Sequence, residues 1–232
     1  FFFKQKTAYE IKECDWSSDV CSSDLCWSDS AWAGPGQAAS GEKLGRGDDV
    51  VNSLQGQFLI ASPHLTDENF YRSVILMISH DQEGAVGFVL NRPMVSSMEE
   101  IWAELEVDVE SGKIIYLGGP VPGPILVLHG DRDLGESTVI DGVYLATRKD
   151  HVQRVLANSD TPQRILVGYS GWGPGQLERE MQGGGWLTYP ADAASVFSDR
   201  DDLWEHVVHC VANRIMASKI AGVQRPDDPR YN

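Results

Sequence analysis

Basic residues are scarce in this chain: 19 Lys and Arg stand against 34 Asp and Glu, a formal net charge of −15 over 232 residues. Nucleic acid is bound by cations that neutralise phosphates, and no helix-turn-helix pattern with a basic recognition helix is present, so no direct nucleic-acid contact is expected. Cysteine is nearly absent. Cys14 and Cys21 fall in an anomalous leader, Cys26 in a polar stretch, and only Cys210 in the main body. That excludes a disulfide framework and a paired-cysteine metal site and suits a reducing cytoplasm. No apolar run is long enough for a membrane span or a signal-peptide core. Neither a Gly-Lys-Ser/Thr phosphate loop nor a GxGxxG fingerprint occurs. No cofactor, metal or membrane partner is therefore expected.

Four segments divide the chain. Lys4 to Ile11 and Asp15 to Leu25 resemble the in-frame translation of a sequencing adapter, with Lys12-Glu13-Cys14 between its two constant parts. Residues 1–25 are thus read as an artefact, the alternative being a genuine extension. Their removal takes away three lysines and five carboxylates, and the remainder stays strongly acidic, which favours solubility. Residues 26–53, rich in Gly, Ser and Ala, read as a flexible lead-in; no methionine precedes Met77. Residues 54–222 read as one domain, and residues 223–232 as a polar, proline-broken tail.

Within that domain, Phe58 to Ala61 is a short apolar strand stopped by Ser62-Pro63, because proline has no N–H to donate. Val74 to Ile78 and Ala85 to Leu90 read as a hairpin around the polar loop His80 to Gly84. The near-continuous apolarity of both arms predicts cover on both faces. Ser96 offers a capping-box start for a helix carrying Met98, Ile101, Trp102 and Leu105. Lys113 to Leu117 and Ile125 to His129 read as strands separated by a rigid turn region, Gly118 to Pro124. Ser137 to Ile140 and Val143 to Ala146 flank Asp141-Gly142, a strong hairpin turn. Thr147 is placed to cap a helix through Ala157 that buries Val152, Val155 and Leu156. Arg164 to Tyr169 is a further strand, followed by a turn built on Gly171, Gly173 and Gly175, with Trp172 in the core and a short helix from Gln176 to Met181. Asp201 to Met216 reads as a helix whose apolar stripe is Leu203, Trp204, Val207, Val208, Val211 and Ile215.

Three ordered motifs carry a family likeness: Gln57 to Leu65 continuing to Gly84–Pro93, Tyr116 to Val121, and Gly168 to Glu180 followed by Gly185-Trp186. Together, over about residues 54 to 217, they resemble the AlgH/YqgE family, bacterial proteins often labelled transcriptional regulators. The resemblance implies an α+β domain, a single compact unit whose mixed, bifurcated β-sheet forms a pseudo-barrel flanked by helices. It implies no established activity.

Gly168-Tyr-Ser170-Gly-Trp172 invites comparison with a nucleophile elbow, with Asp199 or Asp202 and His206 or His209 downstream. Trp172, however, stands where the second outer glycine is needed. A phosphate at the same turn is disfavoured by Glu178 and Glu180. His206 and His209 are spaced i, i+3 on the polar side of their helix, unlike a zinc-protease pair. His64, His80, His129 and His151 sit on separate elements and converge only if folding brings them together. The leading reading is a non-catalytic binding or regulatory protein. Its recognition surface, for a protein or small-molecule partner, draws on Asn91, Arg92, Pro93, Gly118, Gly119, Pro120, Ser170, Gly171, Trp172, Gln176 and Glu178. The alternative is a hydrolase-like enzyme with Arg92, Ser170 and Glu178 in one cleft, and a weaker one is direct transcriptional regulation. For each glycine or proline, simple turn-making is an equally good account.

Overall fold

The computed structural model describes residues 53–94, 113–158 and 160–221. The adapter-like leader, nearly all of the lead-in, the helix expected after Ser96 and the polar tail lie outside them. The described strands are β1 (Gln57–Ala61), β2 (Val74–Asp81), β3 (Gly84–Val89), β4 (Ile115–Leu117), β5 (Val121–His129), β6 (Ser137–Ile140), β7 (Val143–Ala146), β8 (Gln163–Trp172) and β9 (Trp186–Pro190). The helices are α1 (Lys149–Ala157), α2 (Gln176–Gln182), α3 (Ala193–Val196) and α4 (Leu203–Ala221).

The strand order is β6-β7-β5-β8-β3-β2-β1-β9, with β4 joined to β8 off this path. All of these pairings are antiparallel except β4 with β8. β8 therefore makes the sheet mixed and bifurcated. Its first part pairs with β5 on one side and β4 on the other, and Ser170 to Trp172 pair with β3. The sheet curls into a pseudo-barrel. Its far hairpin comes round to the approach of β1, where a Cβ built at Gly56 would lie 2.9 Å from Ile140 Cγ2.

Alternation along each strand explains why the arms of the β2–β3 hairpin are apolar throughout. Phe58, Ile60, Leu76, Phe88, Leu126 and Leu128 point inward and are covered by Trp204, Val207 and Val211 of α4. Leu59, Ile75, Met77 and Val89 point outward beneath Trp172, Leu177 and Trp186. A third cluster joins Ile115, Val127 and Ile165 to Val152, Val155 and Leu156 of α1. Successive residues of one strand thus enter different cores, as a sheet covered on both faces requires.

Several expectations need correction. The β2–β3 loop shrinks to Gln82-Glu83, because both strands run on to a tight turn closed by Gly84 at φ 138°. The prolines of the 118–124 region do not keep it a turn: β5 begins at Val121 and takes in Pro122 and Pro124 beside a register irregularity between Val121 and Ile125. Thr147 does not cap α1. Glu136 does so from outside the helix, one carboxylate oxygen accepting from the N–H groups of Thr147 (3.0 Å) and Arg148 (2.8 Å), the other from Thr147 Oγ1 (2.6 Å). Ile215 is not part of a buried stripe. α4 runs clear of the body after Val211, and Ile215 is 49% exposed.

Candidate functional site

Folding brings together three of the sequence motifs, and it does so through the backbone. Gly118 N–H donates to Val167 O and Gly118 O accepts from Val89 N–H, both at 2.8 Å. Ser170 Oγ, fully buried, donates to the same Gly118 carbonyl at 3.2 Å. A Cβ on Gly119 would stand 2.3 Å from the Tyr169 backbone. The connection between β4 and β5 therefore passes β8 at a separation that only glycine allows. Ser170 lies inside a strand rather than on an exposed turn, so its hydroxyl is a structural donor and not a nucleophile. Gly171 likewise belongs to β8, not to a turn. Trp172 is buried as expected.

Gln176 and Glu178 belong to a different corner. His80 Nδ1 accepts from Leu54 N–H at 3.2 Å, which leaves Nε2 carrying the proton that faces Glu178 Oε1 at 2.9 Å. Its own backbone N–H in the first turn of α2, and then His80, hold the Glu178 carboxyl below the usual carboxylate range. An anion so stabilised is a poor proton donor. Beside it, Glu180 accepts from the indoles of Trp172 (3.0 Å) and Trp186 (2.9 Å) and from Gln176 Nε2 (2.9 Å). These contacts fix α2 on the sheet.

Asn91, Arg92 and Pro93 stand at the opposite, open end of the β2–β3 hairpin. From Val74 to His80, β2 spans about 20 Å at ~3.3 Å per residue. Arg92 lies beside the Val74 end and reaches further away, to the Tyr71 carbonyl, whereas Glu178 lies at the His80 end. Arg92, Ser170 and Glu178 do not form one cleft, which removes the arrangement on which the hydrolase-like alternative rested.

What the open end does assemble is a pinned, exposed loop. Among the described residues Arg72 is the one non-glycine with positive φ, at 52°. Asn91 holds it there: Oδ1 accepts from Val74 N–H (3.0 Å) and Nδ2 donates to Arg72 O (2.8 Å). The Arg72 guanidinium lies 5.1 Å from the Trp204 ring centroid and 5.5 Å from that of Tyr71, and pairs with Glu205 at 3.1 Å. Tyr71 is 49% exposed. The sequence carried no sign of Tyr71 or Arg72, since nothing in residue type announces a left-handed arginine.

Two of the scattered histidines do converge. His129, fully buried at the end of β5, has no hydrogen-bond partner on either ring nitrogen, although the Asp131 backbone lies near enough to pull its pKa upward. His151 of α1 is close enough to influence it and has an unpartnered Nδ1 3.4 Å from Glu136. No group of three or more His, Cys, Asp or Glu among the described residues is arranged to hold a metal ion. Burial lowers the His129 pKa from 6.5, against the opposing pull of Asp131 and Glu136, with His151 lowering it further. The unfolded chain then takes up this proton at higher pH than the folded one, so stability is full above about pH 6.5 and falls as the pH drops through the window below it. The unfolding free energy of His129→Leu should therefore fall less steeply than wild type between pH 7.5 and 5, the difference approaching about 1.4 kcal/mol per pH unit at its steepest. Parallel pH curves for the two proteins would contradict this assignment.

No helix among the described residues is long and apolar enough to cross a membrane. Residues 58–215 match a domain family described as AlgH-like. The chain is similar to a UPF0301 protein of Myxococcus xanthus, 37% identical over 161 residues, covering 67% of this chain and 89% of the relative. It is similar to one from Streptomyces avermitilis at 36% over 201 residues, covering 78% and 97%. Its fold resembles the solution structure of the AlgH protein from Pseudomonas aeruginosa, with a TM-score of 0.59 and 28% identity over 78% of this chain and all of that one.

Proposed function

Because the chain belongs to the AlgH-like family, whose relatives carry no stated activity in their names, its own surface has to supply the function, and we propose a non-catalytic binding or regulatory protein acting through a protein or small-ligand partner in the bacterial cytoplasm. One observation carries the reading. An exposed loop is held in a strained conformation by Asn91, with Arg72 lying over Trp204 and paired with Glu205. A left-handed arginine costs roughly 1–2 kcal/mol. Asn91 spends both ends of its amide to maintain it, and the result presents Tyr71 and two arginines on an otherwise acidic molecule. Strain of this kind concentrates at ligand clamps.

The enzyme alternative finds less support, with Ser170 buried and Glu178 kept ionised at a distance. Direct transcriptional regulation would need a basic surface that the composition does not supply. Cys210 is a free thiol, which favours a reducing compartment.

The full chain, immobilised and exposed to cell extract, should retain a partner that a Tyr71→Ala/Arg92→Ala variant retains at least about tenfold less well, as for a hot-spot pair. Arg154→Ala, on the exposed face of α1, should behave as wild type. A partner held equally by all three proteins would move the site elsewhere and overturn the proposal.

A further inference from the structure

We infer that the entry to β1, residues 53–55, is a proton-released strap: His80 holds it against the outer core while its imidazole is neutral and lets it go once the ring takes up a second proton.

Two neighbours make opposite demands on one buried ring. His80, near the end of β2, accepts the Leu54 N–H through Nδ1 at 3.2 Å and faces Glu178 through Nε2 at 2.9 Å. A neutral imidazole satisfies both, since one nitrogen accepts while the other donates. An imidazolium donates from both nitrogens, so its Nδ1–H would oppose the Leu54 N–H, two donors with no acceptor between them. Glu178 pulls the other way. Its own backbone N–H and then His80 hold its carboxyl below the usual carboxylate range, so it stays ionised wherever a histidine titrates, and it attracts a charged ring. The other charged groups around this corner are Arg179, which acts on Glu178, Glu180, engaged by two indoles and Gln176, and Asp81 and Glu83 of the β2–β3 turn, where Asp81 Oδ1 accepts from Glu83 N–H at 2.8 Å. Three of these four are carboxylates. The second proton therefore enters at the expense of the Leu54 bond.

The strap has a defined extent. Gly56, at φ 73°, donates to the Met77 carbonyl at 2.9 Å and accepts from Ala191 N–H at 3.2 Å, and Gln57 opens the pairing of β1 with β9. The chain is thus fixed from Gly56 onward. Before it, Ser53 and Leu54 are tied to the same residue of β2, because Ser53 Oγ donates to the His80 carbonyl at 3.0 Å. Leu54 is buried in the apolar cluster of Met77, Trp172, Leu177 and Trp186. Its release bares the edge of that cluster beside α2. Leu177 and Glu178 are adjacent in α2, so the carboxylate that favours release stands next to the surface that release uncovers.

Hydrogen exchange of the Leu54 amide in the full chain reads the strap, as a protection factor corrected for the intrinsic pH dependence of exchange. Histidine changes charge between about pH 5 and 8, and one proton linked to opening should lower the factor by up to about tenfold per pH unit from about pH 7.5 to 5.5. His80→Gln keeps a polar side chain with no proton to gain, and its Leu54 factor should be the same at both ends of this range. Glu178→Gln lies on a partly exposed side chain and tests the same linkage without disturbing the buried ring. It should cut the pH response at least about threefold, because the charge that attracts the imidazolium is gone. The inference is overturned if wild-type Leu54 protection is independent of pH, if His80→Gln retains the response, or if Glu178→Gln leaves it undiminished.

Discussion

Gly118→Ala should lose more than about 3 kcal/mol of stability, a large part of the 5–15 kcal/mol that holds a domain of this size together. A Cβ at this position would stand 2.3 Å from Gly168 O and 3.2 Å from Gly168 C. Both are main-chain atoms of a strand paired on two sides, so no side-chain rotation relieves the overlap. The crossing must open. That weakens the bonds from Gly118 N–H to Val167 O, from Val89 N–H to Gly118 O and from Ser170 Oγ to Gly118 O, at about 1 kcal/mol each, in addition to 1–3 kcal/mol for overpacking. Gly171→Ala is the matched control. Its Cβ would meet the Tyr169 ring at 3.4 and 3.8 Å, ordinary contact distances, and the change should stay within about 1 kcal/mol of wild type. Urea unfolding of the two variants reads the difference. Equal midpoints would refute the account of the crossing.

Arg164→Met should be nearly as damaging, at about 3–5 kcal/mol. Arg164 is 3% exposed and uses all three guanidinium nitrogens on carbonyls: Nε to Val196 (2.7 Å), Nη1 to Leu90 (2.6 Å) and Nη2 to Ser198 (2.6 Å). The guanidinium also lies 4.2 Å from the Tyr116 ring centroid. Methionine fills much of the volume but leaves three acceptors without a donor, and the unmet groups cost more than the net worth of the bonds themselves. Arg164→Lys should recover only a minor part, because an ammonium point cannot reproduce a fork reaching three acceptors. Full recovery by lysine, measured by the same unfolding experiment, would mean that charge rather than geometry matters.

Neither residue could be assigned its role by reading along the chain. Arg164 stands at the head of an apolar run, where a strand-end charge is usually solvated. Its acceptors come from positions 90, 196 and 198, and no local pattern announces them. The true length of β8 was better hidden than absent. Leu166 and, three residues on, Tyr169 both pack on the inner cluster, whereas Trp172 lies in the outer one, because Gly168 at φ 73° breaks the extended alternation. The period-two pattern is therefore interrupted in mid-strand, and hydropathy does not register the strand's full length. The hairpin at Asp141-Gly142 was legible residue for residue because its turn chemistry is local. The same holds for the face of α1, where Val152, Val155 and Leu156 recur at helical spacing. The candidate site was legible only in part. Asn91 and Arg92 could be named from their motif, but Tyr71 and Arg72 join them through contacts across the β2–β3 hairpin.

The three-way membership of β8 also constrains how the chain acquires its shape. β3 cannot complete its pairing until Ser170 to Trp172 have been made, β1 waits for Trp186 to Pro190, and the indole of Trp204 closes onto the Ala61 carbonyl across 143 residues of chain. Contacts at such separations are slow to form. During synthesis the β2–β3 hairpin therefore emerges with both of its apolar faces bare and stays so until β8, β9 and α4 have followed it.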